Sequence, residues 1–70
     1  MANQEITFLV READEGGFTA EAIGVAIFAE GETMDELKEN IRGRIDCYYN
    51  GSNTPRFVHL HFSRDEVFAV

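Results

Sequence analysis

Seventy residues with 44% hydrophobic and 27% charged side chains make one folded domain, spanning 1–70, and exclude both a second domain and intrinsic disorder. Thirteen acids against six bases give a net charge of −7, which disfavours direct nucleic-acid binding and favours a basic protein partner. A lone cysteine excludes an internal disulfide, and the apolar-leaning run Ile23–Ala29 is too short to span a bilayer, so a cytoplasmic protein with no membrane partner is expected.

Ile6-Thr7-Phe8-Leu9-Val10-Arg11 alternates as a strand with Ile6, Phe8 and Val10 inward. Asp14-Glu15-Gly16-Gly17 is a turn, because its glycines accept the positive φ of a tight reversal. Phe18 to Ala22 alternates again and completes an antiparallel hairpin. Past Gly24, the short apolar run Val25–Phe28 fits a third strand, which Glu30-Gly31-Glu32 closes. Thr33-Met34-Asp35-Glu36 is a capping box that starts a helix, and Asp35 and Glu36 sit where the helix dipole favours negative charge. Met34, Leu37, Ile41, Ile45 and Tyr48 form one apolar stripe that runs to Asn50-Gly51, a stop signal. Cys47, beside Tyr48 and Tyr49, reads as a half-buried structural thiol. After the loop Gly51–Pro55, Arg56–Phe62 alternates with Val58, Leu60 and Phe62 on one side. Val67–Val70 is an apolar tail able to pair as an edge strand within or between chains.

The fold class is therefore α+β: β-β-β-α-β with one helix packed on a small antiparallel sheet. One helix covers one face, so the other lies open. That open face collects Thr7, Leu9, Arg11, Thr19, Glu21, Phe57, His59 and His61, a mixture of apolar and polar groups suited to a protein interface. A domain of this size gains from self-association, which makes a homodimer or higher homo-oligomer the expected state. Charge is divided along the chain: residues 1–40 hold ten acids and two bases, and residues 41–70 hold three acids and four bases.

Nothing in the pattern carries catalysis or a cofactor. His59-Leu60-His61 has a spacing used by some metal sites but lacks a third clustered ligand. Asp14-Glu15 and Asp65-Glu66 are adjacent carboxylates without a partner element, and Gly16-Gly17 is not followed by a phosphate-loop signature. Arg42 and Arg44, on either side of Gly43, make only a weak basic patch.

Asp14-Glu15-Gly16-Gly17-Phe18-Thr19-Ala20 after a first strand, Glu30-Gly31-Glu32-Thr33-Met34-Asp35-Glu36-Leu37 opening the helix, then Asn40-Ile41 and the Arg56–Val70 stretch, resemble the HicB-type antitoxin domain over residues 5–70. The resemblance implies a partial RNase H-like fold that neutralises HicA, a small basic mRNA-cleaving toxin, by covering its surface. It transfers no catalytic residue. Two departures stand out: no C-terminal DNA-binding domain follows within these residues, and Ile23-Gly24-Val25 replaces the family's Pro-Gly turn. They leave a second reading open, a stand-alone self-associating module with no toxin partner.

Overall fold

The computed structural model describes residues 5–64 and 67–70. The element order is β1 (Glu5–Glu12), β2 (Phe18–Ala22), β3 (Phe28–Gly31), α1 (Met34–Tyr49) and β4 (Phe57–Phe62), in a four-stranded sheet ordered β3-β2-β1-β4. The α+β expectation holds. The sheet is mixed rather than wholly antiparallel: β1–β2 and β2–β3 pair antiparallel, and β4 pairs parallel to β1. The helix is the reason. It carries the chain back along the sheet, so the strand after it runs in the same direction as the strand before it.

The β1–β2 reversal rests on Gly16 and Gly17 at φ 98° and 83°, with Ala13 N–H donating to the Gly17 carbonyl at 3.0 Å. The third strand lies three residues later than expected. Ile23–Val25 is a bend and Ala26-Ile27 is irregular, so neither forms a strand. Gly24 stands at φ 93°, Ile27 N–H donates to the Val25 carbonyl, and Ala22 N–H donates to the Ile27 carbonyl. The bend drops Ile27 into the core and starts the β2–β3 ladder at Glu21 opposite Phe28. Short apolar runs look alike whether they form a strand or plug a loop.

The helix begins at Thr33, whose Oγ1 accepts from Glu36 N–H at 3.1 Å, while Glu36 Oε1 accepts from Glu32 N–H at 3.1 Å. It ends at Asn50, in the left-handed region at φ 51°, whose N–H donates to the Asp46 carbonyl. Leu37, Ile41 and Ile45 are buried and Met34 packs against the core. Tyr48 departs from the expected stripe. It is 52% exposed, and Tyr49, one turn beyond Ile45, packs instead. Their rings meet edge to face at 5.0 Å. Cys47 is exposed rather than half-buried, because two residues past Ile45 lie on the far side of a helix.

The core is Ile6, Phe8, Val10, Ala20, Ala22, Ile27 and Ala29 under Leu37, Ile41 and Ile45. Its closest approach is at Gly31, where an added Cβ would lie 2.5 Å from the Leu37 backbone nitrogen. Asn40 Nδ2 donates to the Glu30 carbonyl at 2.6 Å and ties the helix to β3. The helix lies nearest β3 and β2 and covers β4 only in part. Consequently Val58 and Phe62, expected under the helix, are 40% and 57% exposed, and Leu60 is half-buried. The tail Val67–Val70 forms no strand and is exposed.

Gly31→Ala should lower stability by about 1–3 kcal/mol through overpacking. Gly43→Ala, with open space at its Cβ, should raise it by up to about 1 kcal/mol. Urea denaturation followed by circular dichroism reads both, and a destabilising Gly43→Ala would contradict the helix placement.

Candidate functional site

Strand register settles which side chains share the face away from the helix. Leu9 pairs with Glu21 on β2 and His61 on β4, and Glu21 pairs with Phe28, so Phe28-Glu21-Leu9-His61 is one row across all four strands. Arg11 and Thr19 pair in the next row, which Glu30 extends. Thr7 pairs with His59, and Glu5 with Phe57. The eight residues expected on the open face therefore lie together on it.

Sequence reasoning omitted Phe28 and Glu30 from this face because it ended the third strand too early. The signal was present in Ile27 and Ala29 alternating with Phe28 and Glu30, but the apolar run Val25–Phe28 hid it. Glu5 was left out because the first strand was begun one residue late. Ile23 was also missed. It stands beside the face, 62% exposed.

The face interleaves apolar and acidic groups. Leu9 and Thr7, on β1, are half-buried by their neighbours, and Phe28 and Phe57, on the two edge strands, are exposed. Glu21 lies between Leu9 and Phe28, Glu5 beside Phe57 and Glu30 beyond Thr19, with Arg11 the cation in the rows. An open depression of ≈ 470 Å³ lies between Leu9, Arg11, Thr19, Glu21, Ile23 and Phe28. Mixtures of exposed apolar and charged side chains of this kind also occur in protein interfaces.

Chemistry of other kinds finds little to work with among the described residues. None of their polar or charged side chains is buried, and none leaves a buried polar atom without a partner. No group of three or more His, Cys, Asp and Glu stands close enough to hold a metal ion. His59 and His61 are neighbours on the open face, and both are exposed. Asp14 and Glu15 lie at the exposed β1–β2 turn, while Asp65 and Glu66 fall outside the described residues. The ion pair among the described residues is Arg42–Glu39, on the exposed side of the helix at 2.6 Å. No described helix is long and apolar enough to cross a membrane.

Phe57→Ser on the open face should change stability by no more than about 0.5 kcal/mol, whereas Phe8→Ala on the helix side should cost about 3–5 kcal/mol. Equal losses in urea titrations would show that the two faces have been assigned wrongly.

Comparison with known proteins places the chain. No family model matches it, and no solved structure matches at a significant level. A UPF0150 protein of Thermotoga maritima is 33% identical over 67 residues, which is 96% of this chain and 94% of the relative. A UPF0150 protein of Archaeoglobus fulgidus is 35% identical over 51 residues, covering 73% of this chain and 76% of the relative. With identity at this level sustained over nearly the full length of both chains, the protein belongs to the UPF0150 family.

Proposed function

We propose that the protein is a non-catalytic, HicB-like antitoxin domain that holds a small basic HicA-like mRNA-cleaving toxin against its open sheet face. The observation that carries the reading is the composition of that face, in which Leu9, Phe28 and Phe57 stand uncovered by any layer and interleaved with Glu5, Glu21 and Glu30. A bare sheet face of this kind must be solvated at a cost or covered. The resemblance of the turn and helix-opening segments to HicB-type antitoxins supplies the class of partner.

Charge supports the pairing. A protein that binds and cuts RNA presents cations to phosphates, and the same cations meet carboxylates here. Ten of the thirteen acids stand in residues 1–40, which contain β1, β2 and β3. Covering the toxin's basic surface would exclude RNA from it, so inhibition needs no chemistry from the antitoxin. Such a protein would work where the toxin does, in the cytoplasm.

Co-expression with a HicA-like toxin should relieve growth arrest, and the purified pair should associate more weakly as salt is raised and the carboxylates are screened. Leu9→Ser combined with Phe57→Ser should weaken the complex by about thirtyfold or more, as loss of central apolar anchors does, with an unchanged circular dichroism spectrum. Undiminished binding by that folded double variant would remove the open face from the proposal.

A further inference from the structure

The two edges of the sheet are finished differently. β3 is four residues long, packs against the helix and is tied to it through Asn40. β4 is six residues long and contains neither proline nor lysine, and among the described residues no strand pairs with its outer side. Natural sheets usually shorten, charge or cover an edge, because its free N–H and C=O groups otherwise recruit another strand.

The direction of those free groups follows from the hydrogen bonds. Ser63 N–H donates to the Val10 carbonyl on β1. Backbone groups alternate sides along a strand, so His59 and His61 also turn theirs toward β1. Val58, Leu60 and Phe62 turn theirs to the open edge. These same three residues carry apolar side chains on the helix side, of which Leu60 is half-buried against the core and Val58 and Phe62 are exposed. Between them and the helix runs an open groove of ≈ 420 Å³, with Ile41 and Ile45 on its helix wall.

We propose that β4 pairs antiparallel with β4 of a second copy about a twofold axis at Leu60, making one continuous eight-stranded sheet. With Leu60 opposite Leu60, Val58 falls opposite Phe62 in both directions. Every outward N–H and C=O of these residues then finds a partner, and each apolar side chain meets another on the helix side. The neighbouring same-face register sets Phe62 against Arg56 and loses that match.

Charge agrees with a second copy as the occupant. The six residues of β4, Phe57–Phe62, include no Asp, Glu, Lys or Arg, so two chains of net charge −7 would meet along a strand without formal charge. The open face stays free, so this inference stands independently of the toxin reading.

Two measurements on the protein alone test it. Light scattering after gel filtration at micromolar concentration should give twice 7.9 kDa for the wild type and 7.9 kDa for Val58→Lys with Phe62→Lys, which replaces exposed side chains. Amide exchange by NMR should show Val58, Leu60 and Phe62 protected, exchanging about tenfold or more faster on dilution to monomer. The exchange measurement needs no variant, so it decides the question even where the lysines disturb folding. A monomeric wild type, a double-lysine protein that remains dimeric, or unprotected amides at these three positions would each overturn the pairing.

Discussion

A single helix has to cover a sheet wider than itself, and most of this molecule follows from that mismatch. The helix is about 10 Å across and, with sixteen residues, about 24 Å long. Four strands spaced at about 4.8 Å make a wider surface. The helix therefore covers part of one side. It settles over β3 and β2, where Ala20, Ala22, Ala29 and Gly31 let it come close. Leu37 and Ile41 join Phe8 and Val10 of β1 in the core, and β4 is covered only at Leu60.

That choice of position has two consequences for function. The far side of the sheet has no layer at all, so Leu9, Phe28 and Phe57 face outward among carboxylates. The near side of β4 is only partly covered, which leaves this edge strand with the exposed apolar side chains Val58 and Phe62 beside its outward backbone groups. The two surfaces differ in chemistry. The open face carries Glu5, Glu21 and Glu30, whereas the β4 segment from Thr54 to Arg64 contains no acid.

Much of the architecture was legible because local signals agreed with one another. The β1–β2 hairpin, the Thr33 cap and the Leu37-Ile41-Ile45 stripe each carry a pattern that only one element type satisfies. The open-face residues were legible for the same reason: a period of two assigns sides once a strand is recognised. Errors arose where side-chain pattern and backbone course separate. Val25–Phe28 has strand-like composition, yet the Gly24 bend uses Ile27 as a plug and delays β3 until Phe28. Phe28 and Glu30 consequently went unassigned. Tyr48 and Tyr49 are adjacent, and only packing decided which of them turned inward.

The amino-acid sequence alone determined the α+β class, the element order, the helix ends and which residues of β1, β2 and β4 share a face. All of these depend on contacts a few residues apart, where periodicity, capping and turn chemistry act. Tertiary structure decided that β4 lies parallel beside β1, that β3 takes the helix, and that Val58 and Phe62 remain uncovered. Strand order and helix position depend on how volumes fill a shared core. Alternation marks Val58, Leu60 and Phe62 as one side of a strand, but it carries no information on whether a helix lies above them.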